Sequence, residues 1–96
     1  MQPLCKDKES LFDVYSEKEE LTKYKISNGR INYKYNDRVI IRELNPNTGN
    51  GYICGKFLEG DEYDTNKRGW INIKFFNKGE IKDLLEKAMI SFLIYL

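Results

Sequence analysis

The spacing of apolar residues changes near residue 77, where a strand gives way to a helix. Residues 70–75 alternate, so that apolar and other side chains fall on opposite faces. One face holds Ile71, Ile73 and Phe75, and the other holds Trp70, Asn72 and Lys74. From residue 78 onward, apolar residues recur at helical spacing and form one stripe. The stripe consists of Ile81, Leu84, Leu85, Ala88, Met89 and Phe92. We therefore predict a half-buried strand followed by an amphipathic C-terminal helix.

The start of this helix has the sequence of a capping box. Asn77 can accept hydrogen bonds from the first free N–H groups of the helix, and Glu80 follows three residues later. Phe76 and Ile81 stand at the two positions of a hydrophobic staple. Gly79 in the first turn is the one unfavourable residue, because glycine costs about 1 kcal/mol relative to alanine inside a helix.

Upstream of this junction, short alternating segments separated by turn residues predict further strands. The predicted strands cover residues 21–26, 31–35, 38–44 and 52–58. Asn28-Gly29 is typical of a hairpin turn with two positive φ angles, and Asn36-Asp37 predicts the next turn. Gly55 lies inside the fourth of these strands, where it indicates a bulge or a close backbone approach. Polar loops are predicted over residues 45–51 and 59–68.

The first ordered segment has two interpretations. Residues 11–15 favour a strand that is bounded by the polar residues 16–20. A helix competes with this interpretation, since Leu11, Val14, Tyr15 and Leu21 could share a helical face and glutamate and lysine favour helices. We take the strand as the prediction. Residues 1–8 are polar and are expected to form a loose N-terminal arm.

About six strands followed by one helix predict a single α+β, mainly β domain over residues 9–96. The short connections favour an antiparallel barrel or curved sheet that is capped by the C-terminal helix. The pleckstrin-homology-like fold has this order of elements. An SH3-like barrel is the alternative, although it does not need so long a terminal helix.

Composition excludes several classes of function. The 96 residues have a net charge of +1, so no large basic field is present and nucleic acid is not expected as a partner. Residues 88–96 are strongly apolar, but a membrane span needs about 20 such residues. We therefore expect no transmembrane segment.

Catalytic and metal-binding groups are scarce. The chain has no histidine, which is the commonest general acid or base, and neither Cys5 nor Cys54 has a histidine partner. No secretory signal precedes the two cysteines, so we expect free thiols, a reducing intracellular compartment and no zinc site.

Two further motifs have structural interpretations. Gly49-Asn50-Gly51 lacks the lysine of a phosphate-binding loop and is interpreted as a turn. The acidic group could suggest a hard-metal site, but we interpret it as a solvated loop. It consists of Glu59, Asp61, Glu62 and Asp64. The expected function is therefore non-catalytic binding without a cofactor.

The candidate binding residues are five cations and the only tryptophan. They are Arg38, Arg42, Lys56, Lys67, Arg68 and Trp70. The first three would lie on neighbouring strands, and whether they share a face depends on a strand register that the sequence does not specify. Trp70 either packs under a loop or anchors an interface. The apolar helix end, residues 90–96, either enters the core or contacts a partner.

The order of these features resembles the Ran-binding domain, the pleckstrin-homology-like module of Ran-binding proteins and certain nucleoporins. Residues 11–15 with the charged residues 16–20 resemble its first strand and turn, and residues 39–42 (Val-Ile-Ile-Arg) are similar to its hydrophobic run ending in arginine. Similar pieces are residues 29–33, residues 50–54, and residues 71–75 with Ile81, Leu84, Leu85 and Ala88.

The resemblance implies a protein partner, the GTP-bound form of a Ran-type small GTPase in nuclear transport. It also implies a location in the nucleus or nuclear pore, with the five cations as the basic contacts. Without it, a small phage or mobile-element inhibitor or adaptor, located in the cytoplasm, fits the same size and composition. A phosphoinositide-binding pleckstrin-homology domain is a further alternative, but residues 16–20 hold three glutamates and one lysine, which argues against it.

Overall fold

Two helices flank a run of five strands in the computed structural model, which describes residues 7–18, 20–58, 60 and 62–95. The elements are α1 (Lys8–Glu17), β1 (Thr22–Lys25), β2 (Ile31–Tyr35), β3 (Arg38–Leu44), β4 (Tyr52–Cys54), β5 (Trp70–Asn72) and α2 (Lys78–Tyr95). A single 3₁₀ turn, Ser27–Gly29, connects β1 to β2.

Each strand pairs antiparallel with its neighbour in the sequence, in the order β1-β2-β3-β4-β5. The sheet does not close into a barrel, so the open-sheet form of the prediction is the observed one. The predicted α+β, mainly β class with a C-terminal helix is confirmed. The predicted count of about six strands was wrong by one, because the first of them is a helix.

Residues 11–15 belong to α1, so the predicted strand was wrong and the competing helix is correct. Asp7 caps this helix, since its side chain accepts a hydrogen bond from the Ser10 N–H at 3.3 Å. The inward residues follow the helical period of i, i+3, i+4 and i+7. They are Lys8, Leu11, Phe12 and Tyr15.

Two residues of the predicted N-terminal arm, Asp7 and Lys8, take part in the first helix. Residues 1–6 lie outside the described residues, whereas Asp7 is the cap of α1 and Lys8 is its first residue. The Lys8 side chain is 1% exposed, and its Nζ donates to the carbonyl oxygen of Lys74 at 3.4 Å. Asp7 and Lys8 therefore belong to α1 and its cap.

Both predicted hairpin turns are present. Asn28 and Gly29 have φ angles of 65° and 72° between β1 and β2. Asn36 and Asp37 have φ angles of 52° and 62° between β2 and β3. Asparagine, aspartate and glycine tolerate this left-handed region better than other residues, which explains why the sequence indicated these turns.

The last two strands are shorter than predicted, with three residues each. After β5 the Phe76 N–H donates to the Ile73 carbonyl at 3.1 Å, so the chain turns and the alternation stops at Ile73. Phe75, which was assigned to the buried face, is consequently 70% exposed. After β4, Gly55 permits a close approach, because a Cβ there would lie 2.4 Å from Ile71 Cδ1.

The C-terminal helix begins as predicted. The Glu80 N–H donates to Asn77 Oδ1 at 2.9 Å, and the Asn77 N–H donates to Glu80 Oε1 at 3.0 Å, which completes the capping box. The predicted stripe faces the core, where Met89 is half-buried and the other members are buried.

Both helices cover the same face of the sheet. Phe12 of α1 contacts Tyr33 edge-on at 5.5 Å between ring centroids, and Phe92 of α2 lies 6.3 Å from Tyr35. Because Tyr33 and Tyr35 are two residues apart on β2, they project from one side. The opposite side, here called the outer sheet face, is defined by Asn32, Lys34, Arg42, Tyr52, Trp70 and Asn72.

Candidate functional site

A cation and an aromatic ring meet on the outer sheet face at β3 and β5. The Arg42 guanidinium carbon lies 5.5 Å from the centroid of the Trp70 ring, which is within the range of a cation–π interaction. Arg42 pairs in register with Tyr52, and Trp70 pairs with Cys54 on the same strand, β4. Trp70 therefore stands beside a strand on an uncovered face and remains partly exposed.

Arg68 joins this pair because the loop before β5 is held by one asparagine. Asn66 Oδ1 accepts hydrogen bonds from the Arg68 N–H at 2.9 Å and the Trp70 N–H at 3.0 Å. The Asn66 N–H in turn donates to the Trp70 carbonyl at 2.9 Å. Arg42, Arg68 and Trp70 consequently line one depression of about 250 Å³ with Glu43, Tyr52 and Asn66. We call the first three residues the Arg42–Trp70–Arg68 surface.

Sequence reasoning missed Asn66, although a local signal was present. Asparagine before two cations and a glycine is typical of a turn in which the side chain accepts from the backbone two residues on. Gly69 has a φ of 87°, and its N–H donates to the Asn66 carbonyl at 3.0 Å. The sequence therefore allowed this turn to be predicted, but it did not indicate that the loop lies beside Arg42.

A second depression of about 620 Å³ adjoins the first, and Arg68 lines both. Lys56 and Lys67 supply its other cations. Gly69 closes one wall, since a Cβ on it would lie 2.9 Å from the Cβ of Lys56. Five of the six candidate residues thus line one or both of these two depressions.

Arg38, the sixth candidate, does not belong to the Arg42–Trp70–Arg68 surface. It is exposed at the first position of β3, opposite Tyr35 and next to the Asn36-Asp37 turn. Arg42 is four residues further along the strand, which corresponds to about 13 Å. Arg38 lines neither depression.

The cations near the two depressions differ in whether they form ion pairs with described carboxylates. Arg42 Nε lies 2.9 Å from Glu43 Oε2, and Arg30 approaches the same carboxylate at 3.5 Å. Among the residues that the structure describes, Lys56, Lys67 and Arg68 form no ion pair. These three side chains therefore offer positive charge that the described carboxylates do not neutralise.

The acidic loop is attached to α2. Glu62 Oε1 accepts from Lys87 Nζ at 2.7 Å, and Asp83 accepts from Lys87 at 3.0 Å and from the Tyr63 hydroxyl at 3.0 Å. The bonds from Lys87 and Tyr63 hold the pKa of Asp83 below its usual value. Glu59 and Asp61 lie outside the described residues. Within the described part of the chain, no group of three or more potential metal ligands occurs.

A second titratable cluster connects α1 to the sheet. The Tyr33 hydroxyl donates to Asp13 at 2.9 Å, and Lys23 Nζ lies 2.7 Å from Glu9 and 3.0 Å from Asp13. Burial, together with the bond to Asp13, raises the pKa of Tyr33 far above 10.0. The pKa of Lys23 is also raised, because its bonds to Glu9 and Asp13 outweigh the effect of burial. The cluster is away from both depressions, and we assign it a structural role.

Cys54 is a buried free thiol on β4. Burial raises its pKa, although the nearby Lys56 acts in the opposite direction. A raised pKa leaves less of the reactive thiolate, so the site does not activate Cys54 as a nucleophile. Cys5, the other predicted free thiol, lies outside the described residues.

Comparisons with known proteins were made by family model, by curated sequence and by solved structure. None of them found a match for this chain. The functional argument therefore rests on the residues and geometry given above. Across residues 7–95, apart from the gaps at 19, 59 and 61, neither helix has the length and apolar character that crossing a membrane requires.

Proposed function

We propose that this chain is a non-catalytic protein-binding module that recognises an acidic segment of its partner. The observation that carries the proposal is the stacking of Arg42 on Trp70, with Arg68 lining the same depression. Tryptophan and arginine are the residue types that most often dominate binding energy at protein interfaces. A partner carboxylate can bond a guanidinium while an apolar neighbour packs on the indole.

The surface is suited to this role because it is already held in place. Asn66 fixes the loop that carries Arg68. Arg42 and Trp70 are held by the pairing of β3 and β5 with the same strand, β4. Preorganisation lowers the entropy that binding must overcome. Lys56 and Lys67 extend the positive charge beyond the stacked pair, which would mainly accelerate association with an acidic partner.

We propose the GTP-loaded form of a Ran-type GTPase as the partner to test. The resemblance of the sequence to the Ran-binding domain supports it. Of the five basic contacts that the resemblance implies, Arg42, Lys56, Lys67 and Arg68 line the two depressions, whereas Arg38 does not. A nuclear or nuclear-pore location would follow from this partner. An acidic segment on the GTPase would supply the complementary charge.

Calorimetric titration against both nucleotide states is the test. We expect binding to the GTP form, much weaker binding to the GDP form, and an affinity that falls as salt rises. Trp70→Ala or Arg68→Ala should weaken binding by about 2 kcal/mol or more if these residues are central to the interface.

Arg38→Ala is the matched control, because Arg38 is an exposed arginine of the same sheet outside the Arg42–Trp70–Arg68 surface. Equal losses for Arg38→Ala and Arg68→Ala would contradict the assigned surface. Absence of heat together with an unchanged melting temperature in both nucleotide states would remove the Ran-type partner. The inhibitor or adaptor and the phosphoinositide-binding alternatives would then remain.

A further inference from the structure

The last turns of α2 expose a row of apolar side chains on the side away from the core. Ile90, Leu93, Ile94 and Tyr95, here called the α2 ridge, are between 52% and 67% exposed. Ser91 and Phe92, which lie between them in sequence, are buried. The helix end is therefore apolar on two sides. One side packs on the described core, and the other remains more than half exposed, although the Tyr95 ring stacks on Phe57. A contiguous apolar surface of this kind marks an interaction site.

The α2 ridge stands between two depressions, and Ile90 lines both. One, of about 330 Å³, lies toward Phe57 and Tyr63. The other, of about 680 Å³, lies between α1 and α2 and includes Val14 and Leu93. Ile90 and Ile94 are four residues apart, so they form the kind of i, i+4 row that packs into the groove of another helix. The α2 ridge thus forms a wall of both depressions, an arrangement in which the apolar row of one copy can enter a groove of a second copy.

The charges around the α2 ridge also permit contact with an identical surface. The ridge itself contains no charged residue. At its border Lys87 is bonded to Glu62 and Asp83, and the wider groove is lined by cations and carboxylates alike. Because both signs border the ridge, a cation of one copy can face a carboxylate of the other. The Arg42–Trp70–Arg68 surface, with its excess of cations, would instead repel a second copy.

We propose that this chain forms a two-fold symmetric homodimer through the α2 ridge. Ile90 and Ile94 of each copy pack into a groove beside the ridge of the other copy, as an isologous interface requires. Packing of two i, i+4 rows gives a helix crossing of about −50°. The helices cover the face of the sheet opposite Trp70, so the dimer leaves both basic surfaces free and is bivalent.

Analytical ultracentrifugation of the purified chain tests the proposal directly. We expect a reversible monomer–dimer equilibrium between about 1 and 500 µM. Ile94→Glu should shift the chain to monomer, since it would bury an unpaired carboxylate in the interface. Because Ile94 is 67% exposed in the single chain, this variant should retain the circular dichroism spectrum of the folded protein.

Phe75→Glu is the matched control, because Phe75 is 70% exposed but lies outside the α2 ridge and both grooves. This variant should dimerise like the unmodified chain. If Phe75→Glu and Ile94→Glu disrupt the dimer equally, the interface is not the α2 ridge. A chain that stays monomeric across the whole concentration range would overturn the proposal and favour a different protein as the occupant.

Crosslinking supplies an independent measurement of the geometry. In a chain that carries Cys5→Ser, with Cys54 buried, Ile90→Cys should form a covalent dimer on mild oxidation, because the proposed crossing of the two apolar rows would bring the two copies of residue 90 together. Phe75→Cys in the same background should remain monomeric. Equal crosslinking of the two variants would contradict a specific interface at the α2 ridge.

Discussion

Gly55 determines how closely β4 and β5 approach each other at the end that carries the candidate site. A Cβ at this position would lie 2.4 Å from Ile71 Cδ1 and 2.9 Å from Ile71 Cγ1. Such distances require either the strand end or the isoleucine to move. From the sequence, a glycine inside a predicted strand indicated a bulge or a close backbone approach. In the structure, the atoms nearest to a Cβ at this position belong to the side chain of Ile71.

We expect Gly55→Ala to destabilise the protein by about 1–3 kcal/mol, the usual cost of overpacking a core. Urea unfolding measures the change. Ile71→Val removes Cδ1 from the clash, so the double variant should lose less than the sum of the two single losses. Strictly additive losses would show that the Ile71 side chain is not what excludes a Cβ at position 55.

The turn residues were easier to predict from the sequence than the grouping of side chains that come from different strands. Asn28, Gly29, Asn36 and Asp37 adopt the positive φ angles that their chemistry suggested, because a turn depends only on its own residues. The grouping of Arg42 with Trp70 depends on two strand pairings and on the loop held by Asn66. Because strand register depends on the whole sheet, the sequence identified these residues as candidates but did not predict that they lie side by side.

Among the secondary-structure elements, the helix α2 could be predicted from the sequence, whereas the helix α1 was predicted as a strand. Eighteen residues with a capping box and a sustained apolar stripe allow only one interpretation of α2. α1 has 10 residues, and its inward face includes Lys8, which is buried at 1% exposure. A lysine on the core side obscures the helical period, and the short apolar run 11–15 then resembles a strand.

The packing of α2 predicts a large loss of stability for Leu84→Ala. Leu84 is fully buried against the sheet, so the substitution should cost about 2–5 kcal/mol. Urea unfolding at low protein concentration, where the chain is monomeric, is the measurement. Leu93→Ala is the control on the same helix, and because Leu93 is 61% exposed it should cost far less. Similar losses for both variants would mean that α2 does not pack as described.

For the molecule as a whole, most of the titratable groups whose pKa is shifted have a higher pKa in the folded chain. Burial raises the pKa of Tyr33 and of Cys54, and bonds to carboxylates raise that of Lys23. The folded chain therefore holds these protons more tightly than the unfolded chain does. The resulting stability is fully present below the ordinary values of 9.0 for cysteine and 10.0 for tyrosine, and it is lost as the pH rises above them.

We expect the free energy of unfolding to fall between about pH 9 and pH 11. Urea titrations at several pH values measure the slope. Tyr33→Phe should be less stable at pH 7, because the bond to Asp13 is lost, but its slope in the alkaline range should be shallower. Tyr52→Phe on the outer sheet face is the control. An unchanged slope for Tyr33→Phe would exclude Tyr33 as a cause of the alkaline loss.

The open sheet leaves β1 and β5 as edge strands within the described part of the chain, and unpaired edges invite aggregation by strand addition. β1 carries a lysine at two of its four positions. Lys23 points inward to the carboxylates of α1, and Lys25 is exposed. A foreign strand added beside β1 would bury this inward charge further, which opposes the addition. We therefore expect Lys23 to hinder self-templated fibres while its ion pairs attach the first helix.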